Sequence, residues 1–231
     1  MNLNTDYSQR IIMQTEQVVW VDSPVAGIKR KLLERDGGEV ARATSIVHYA
    51  PGSQFNLHTH ELGEEIFVLE GDFQDESGSY GAGSYIKNPP GSSHSPRSIN
   101  GCTLFVKLRY LAPDDSTRIV IDTTTAQWYP GLVAGLSVLP LSEFETVHTA
   151  LVRWMPGTQF NPHRHFGGEE ILVVQGVFED EFGRYPAGTW LRSPHMSMHT
   201  PFSTEGCLIL VKTGHLFIDK LSPQQGQQGR Y

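Results

Sequence analysis

Only two cysteines occur in 231 residues, basic side chains gather into no cluster, and no apolar run approaches the length of a membrane-spanning helix. Each scarcity removes a class of protein. Cys102 and Cys207 stand in near-identical contexts, "GCTLFVK" and "GCLILVK". Equivalent positions of two similar units seldom meet at bonding distance, so two separate buried thiols are expected rather than a disulfide, as suits a reducing compartment. Lys plus Arg number 18 against 25 Asp plus Glu, a net charge of −7. That balance argues against nucleic acid or an anionic membrane as a direct partner. The opening "MNLNTDYSQR" lacks the apolar stretch after a basic start that marks a secretory signal. A soluble, cytoplasmic protein is expected.

What the chain does have is turn-formers and an internal repeat. Glycine (23) and proline (14) are frequent, and 39% hydrophobic against 19% charged residues is ordinary for a folded domain. Many short strands and few long helices follow. Sliding the sequence by 105 positions lays "PGSQFNLHTHELGEEIFVLEGDFQDESGSYGAG" over "PGTQFNPHRHFGGEEILVVQGVFEDEFGRYPAG" without a gap, and 29 of the 57 positions from Pro51 to Lys107 are identical. Upstream, "WVDSPVAG" from Trp20 matches "WYPGLVAG" from Trp128 at an offset of 108, so the first copy carries three extra residues in between. A unit this long is a domain rather than a solenoid repeat. Two domains from a duplication are expected, over 18–112 and 126–221, joined by 112–126 with "APDD" as the turn. A polar, disordered tail is expected over 222–231.

The signals within each copy are β. "SIVHY", "EIFVLEG", "SYIKN" and "CTLFVKLRY" are rich in β-branched and aromatic residues and are separated by Gly- and Pro-bearing turns. An all-β sandwich or barrel fits their spacing. "EIFVLEG" and "EILVVQG" are apolar on both strand faces, so each barrel should pack against its twin or another subunit, and a homo-oligomer is one outcome.

Ligand-type side chains concentrate at the same places in both copies. In a strand, His58 and His60 point to one face and Thr59 to the other. Gly63 permits a bend after which Glu64 returns to that face, and His94 follows the "NPPGSS" turn. The second copy supplies His163, His165, Glu169 and His199 at identical spacing. Three imidazoles and a carboxylate suit a divalent transition metal, because neutral imidazole favours Zn, Fe, Ni and Cu and the carboxylate offsets charge. One ion per domain is expected, with zinc or iron first and manganese or nickel as further choices. His195 is assigned to a turn, and the acid pairs Asp75–Glu76 and Asp180–Glu181 to solvated loops. Glu65 and Glu170 should point away from the metal or orient its neighbours. Arg164, between two ligands, should face outward, and one of Tyr85 and Lys87, like one of Trp190 and Arg192, should face inward.

These spacings resemble the cupin superfamily. Its first motif, G(x)5HxH(x)3–4E(x)6G, fits Gly52, His58, His60, Glu64 and Gly71, and again Gly157, His163, His165, Glu169 and Gly176. Its second, G(x)5PxG(x)2H(x)3N, fits Gly83, Pro89, Gly91 and His94, and Gly188, Pro194 and His199, with Met196 in place of the second glycine and Ser98 and Ser203 in place of the asparagine. The wording "HxHxxGEExxVLEGxFxDExGxY", then "PxGSxHxP" and "GCxLxVK", looks like the cupin domain of ChrR-type anti-sigma factors. That resemblance implies two tandem jelly-roll β-barrels, a bicupin, each with one bound metal, commonly zinc. It also implies a regulatory role in sensing a small organic ligand or oxidative stress. Such anti-sigma factors carry an N-terminal helical zinc domain that grips the sigma factor. Only about 17 residues precede the first repeat here, none of them cysteine, so sigma-factor binding of that type is not expected. The same superfamily includes Fe(II) dioxygenases that cleave diketones or hydroxyketones, and an enzyme of that type is the alternative. No catalytic side chain is assigned.

Overall fold

A computed structural model of the protein describes residues 1–216. The expected tail over 222–231, and the last residues expected for the second domain, lie outside the described residues. Each half is a jelly-roll barrel, as the cupin resemblance implies. In the first, Ala41–Tyr49 lies between Ile28–Gly37 and Cys102–Leu108, which pairs onward with Glu64–Asp75 and then Ser84–Asn88. In the second, Val147–Trp154 lies between Leu136–Phe144 and Cys207–Thr213, followed by Glu169–Asp180 and Thr189–Ser193. All these pairings are antiparallel. No helix among the described residues is long and apolar enough to cross a membrane.

Period-two alternation explains the doubly apolar strands. Along Glu64–Asp75, Ile66 and Val68 turn into the barrel beside Ile86 and Leu104, while Phe67 faces the opposite way. There it joins Tyr85 and Phe105, and these meet Leu172, Trp190 and Leu210 of the second half. Among the described residues the core is therefore three clusters: one inside each barrel and one between them. The expectation of one inward member in each aromatic–basic pair fails for this reason. Tyr85 and Lys87 are two apart, so they share a face, and it is the face away from the barrel interior, as it is for Trp190 and Arg192. Ile86 and Leu191 point inward instead.

The two halves exchange their leading segments. The strand Ile11–Gln14, upstream of the first barrel, pairs with Thr189–Ser193 of the second. The joint turns at "APDD", where the Asp115 amide donates to the Ala112 carbonyl at 3.1 Å. It then forms the strand Ile119–Asp122, which pairs back onto Ser84–Asn88 of the first barrel.

Two buried charge pairs cross the interface in mirror fashion. Lys107 Nζ lies 2.7 Å from Glu170 Oε2, and Lys212 Nζ lies 2.8 Å from Glu65 Oε2. All four side chains are at most 5% exposed. Tyr85 donates to Glu65 at 2.7 Å and Trp190 Nε1 to Glu170 at 3.0 Å, while His215 Nε2 lies 3.1 Å from Glu170. Glu34 of the first half and Arg192 of the second form a further fully buried ion pair.

Gly71, at the end of the first cupin-type motif, has φ +76°, and a Cβ there would lie 2.0 Å from the Gly101 carbonyl oxygen. Backbone cannot yield as a flexible side chain would. Gly71→Ala is expected to cost about 2–3 kcal/mol, read as a lowered urea midpoint with unchanged slope.

Candidate metal centres

Strand pairing brings the expected ligands together. His94 sits directly across from His58, and His163 directly across from His199. In the first barrel the rings of His58, His60 and His94 are 4.7–5.0 Å apart, centre to centre. Glu64 Oε2 lies 3.3 Å from His60 Nε2 and 3.5 Å from His94 Nε2. In the second, ligand atoms of His163, His165, Glu169 and His199 all fall within 4.8 Å of one another. In the first, the same holds for the three histidines. Asn88 Nδ2 donates to Glu64 Oε2 at 3.2 Å and fixes that carboxylate.

The outer ring nitrogens are engaged in a way that leaves the inner ones facing the centre. His58 Nδ1 lies 2.8 Å from the Asn56 carbonyl and His163 Nδ1 2.9 Å from the Asn161 carbonyl. These acceptors place the proton on Nδ1, so Nε2 presents a lone pair. His94 Nδ1 lies 3.4 Å from Asp75 Oδ2, and His199 Nδ1 lies 3.4 Å from Asp180 Oδ2. The Nε2 atoms of His60, His94, His165 and His199 are buried without a hydrogen-bond partner. Four orphaned nitrogens in two clusters, each cluster beside a buried carboxylate, are the donor set that a divalent cation satisfies.

Electrostatics agree for His60 and His165. Burial lowers the His60 pKa against the raising influence of Glu64. Burial, with the neighbouring His199 and His163, pushes His165 down to about 3. Both imidazoles are thus neutral at pH 7, the form that ligates. Burial raises Glu169 to about 7. For His94 burial acts downward, but the Asp75 hydrogen bond and the charges of Glu64 and Asp75 outweigh it and raise the group.

Asp75 and Asp180 correct the sequence reading. Expected as solvated loop acids, they are 5% and 4% exposed and brace the third histidine of each set. Tyr80 donates to Asp75 at 3.0 Å and Tyr185 to Asp180 at 2.7 Å. Their neighbours Glu76 and Glu181 accept from the amides of Ser95 and Thr200. Glu65 and Glu170 point away from the metal clusters, into the inter-barrel pairs. Arg164 is exposed and faces outward. His195 has its turn role, its Nδ1 accepting from the Gly167 amide at 2.9 Å. Ser98 and Ser203, in the motif's asparagine position, each donate to a backbone carbonyl at 2.6 Å. Met196 adopts the left-handed conformation, φ +61°, that Gly91 takes in the first copy.

A cavity of about 390 Å³ opens onto His58, His60 and Glu64 of the first barrel, walled by Phe55, Ile66, Phe73 and Leu104. Its size lies within the usual range of ligand pockets, about 300–1,000 Å³.

Comparison with known proteins agrees with this fold. The ChrR Cupin-like domain model matches residues 8–112 and 116–217. Over 67 residues the chain is 40% identical to the anti-sigma-E factor ChrR of Cereibacter sphaeroides, a stretch covering 28% of this chain and 32% of that protein. The match thus spans about a third of that relative's length. Among solved structures, a protein provisionally described as a dioxygenase from Nostoc punctiforme superposes with a TM-score of 0.75 at 16% identity, over 89% of this chain and 82% of that one. A cupin 2 conserved barrel domain protein from Leptotrichia buccalis gives 0.62 at 12%, over 92% and 99%. An oxalate decarboxylase from Lactobacillus farciminis, solved with formate, gives 0.61 at 14%, over 89% and 86%. At such identities the likeness is one of fold.

Proposed function

The chain belongs to the ChrR cupin-like domain family, and from that premise we propose that it is a bicupin holding one divalent metal in each barrel and serving as a sensing or regulatory protein for a small organic ligand or oxidant. The observation that carries the metal reading is the pair of clusters of buried, partnerless imidazole nitrogens against a buried carboxylate. His58, His60, Glu64 and His94 would hold one ion, and His163, His165, Glu169 and His199 the other. The metal supplies a Lewis-acidic centre, or a one-electron redox centre where it is iron. The protein's own part is to fix the ligands and exclude water, with Phe55 and Phe73 packed at 5.0 Å on His58 and 6.1 Å on His94. The regulatory role is supported by the stretch shared with an anti-sigma factor.

A second reading, an Fe(II) dioxygenase acting on a diketone or hydroxyketone, is favoured by the cavity, which gives a substrate access to the first set of ligands. Elemental analysis after anaerobic purification or reconstitution should find two metals per chain, and fewer than one would overturn the site assignment. Oxygen uptake with an iron-loaded sample and a diketone panel separates enzyme from sensor, because no uptake eliminates the dioxygenase. Glu64→Gln should weaken metal retention in the first barrel at least tenfold, leaving one ion per chain after dialysis against a chelator.

A further inference from the structure

The duplication produced two metal clusters of the same make, but their surroundings differ. Ile28 pairs with Tyr49, 21 positions on, whereas its counterpart Leu136 pairs with Trp154, only 18 positions on. The three extra residues of the first copy therefore fall in the tip of one hairpin, between Ile28–Gly37 and Ala41–Tyr49. Two residues of that tip, Glu39 and Val40, line the 390 Å³ cavity, as does Ala41, the first residue of the returning strand. Within the barrels, Tyr49 lines the cavity, and Trp154 takes its place in the second copy. The indole packs edge-on against Phe160 and Phe178, with ring centres 6.4 and 5.7 Å away. The larger ring thus occupies interior space that the first barrel leaves to its cavity, and the space beside His165 and His199, about 290 Å³, is lined instead by Arg10, Phe182, Ser193 and Met198.

The charge balance of the first cavity narrows what it accepts. A divalent metal on three neutral imidazoles and the Glu64 carboxylate retains one positive charge. The basic side chains at the rim are already compensated: Arg30 Nη1 lies 3.4 Å from Glu39 and Arg109 Nη1 lies 2.6 Å from Glu61. Apart from the hydroxyls of Ser23 and Thr59, the remaining wall is aliphatic and aromatic. A second anionic group would be buried there without a partner, at high cost.

The geometry points to the first barrel as the ligand-binding one, and to its ligand as a small molecule with an apolar body and a single monoanionic oxygen-donor head, such as a carboxylate or enolate, that meets the metal. This rests on the metal reading above. The second barrel holds its metal without this ligand.

Straight-chain carboxylates test it. Full-length protein loaded with zinc, its metal content checked by elemental analysis, is titrated calorimetrically with acetate, hexanoate, octanoate and octanedioate. Octanoate should bind at one equivalent per chain, with affinity rising about fourfold per added methylene from acetate until the cavity is full. Octanedioate should bind at least tenfold more weakly than octanoate. Tyr49→Trp, which copies the residue of the second barrel, should lower octanoate affinity at least tenfold with zinc still at two per chain. Should that variant fold poorly, deletion of Gly38, Glu39 and Val40 gives the first hairpin the length of the second and should weaken octanoate in the same direction. Two equivalents of octanoate per chain, or no dependence on chain length with zinc fully bound, would overturn the inference and leave the metal reading intact. Failure to load zinc overturns both.

Discussion

Lys107→Met is expected to lower unfolding stability by about 3–5 kcal/mol, because it strands the Glu170 carboxylate in a buried interface. Lys212→Met should do the same to Glu65. The prediction follows from the asymmetry between making and breaking a buried pair. Forming one from hydrated ions gains little, since desolvation opposes attraction, but removing a single partner leaves an unpaired charge. Glu170 retains Trp190 Nε1 at 3.0 Å and His215 Nε2 at 3.1 Å, which soften the loss without replacing the lysine charge. The double variant Lys107→Met with Glu170→Leu should recover much of what the single one loses, and urea denaturation of all four species closes the cycle. A single-variant loss under 1 kcal/mol would mean that water reaches the interface. The space beside the four charges, about 20 Å³, has room for about one water molecule.

The same cluster sets an acid limit. Burial alone would raise Glu170, but the Lys107 charge and the His215 hydrogen bond reverse this and hold it well below the ordinary carboxylate range. A carboxylate with a depressed folded pKa contributes stability that is present above its unfolded value, near 4.5, and lost as pH falls through the folded one. His215 is pushed down to about 4, by burial first. It stays neutral when folded while the unfolded chain takes up its proton near pH 6.5, so stability should already fall on going from pH 7 to 5. His215→Gln should flatten that part of the profile relative to the parent chain, measured as urea midpoints across the range.

The sequence was informative where chemistry and spacing coincide. Histidines two apart on a strand must share a face, and the offset of 105 repeated the set, so the gathering of His58, His60 and His94, and of His163, His165, Glu169 and His199, was legible. The doubly apolar strands correctly required a second packing surface for each barrel. Asp75 and Asp180 were misread because an Asp-Glu pair before a glycine looks solvated. Whether such an acid is buried depends on the loop folding back under His94 or His199, a contact across 19 residues. The inter-barrel charges were missed for a similar reason. Lys107 and Lys212 stand next to the ends of two similar apolar strands and lie across from Glu65 and Glu170 in their own sheets, yet each pairs with the glutamate of the other barrel, and chain alternation carries no sign of that. His215 takes the place of Tyr110 and carried no signal at all. The exchanged strands Ile11–Gln14 and Ile119–Asp122 were hidden because which barrel a short edge strand joins is decided by space, not by local pattern.

That exchange reaches the candidate metal centres. Arg10, just before Ile11–Gln14, donates to Asp180 at 2.5 Å and to Tyr185 at 3.1 Å. Arg118, just before Ile119–Asp122, donates to Tyr80 at 2.9 Å and lies 3.8 Å from Asp75. Each barrel's third histidine is thus held by its own aspartate, and that aspartate by an arginine from the segment leading into the other barrel. Partners of this kind fix ring orientation, and their loss commonly costs about 10–100-fold in metal affinity. Asp75→Asn should weaken the first site by that factor and Asp180→Asn the second, read by competition with a chromophoric chelator. Arg118→Ala should loosen the first site and Arg10→Ala the second, by less, because the tyrosine still donates to each carboxylate. The crossed pattern is the discriminating result: Arg10 precedes the first barrel in the chain, yet in a Glu64→Gln background, where only the second site retains metal, its removal should still lower the measured affinity. An unchanged affinity there would reduce the exchanged arginines to surface packing, whereas the crossed loss would mean that each half needs the other's leading segment to complete its metal site.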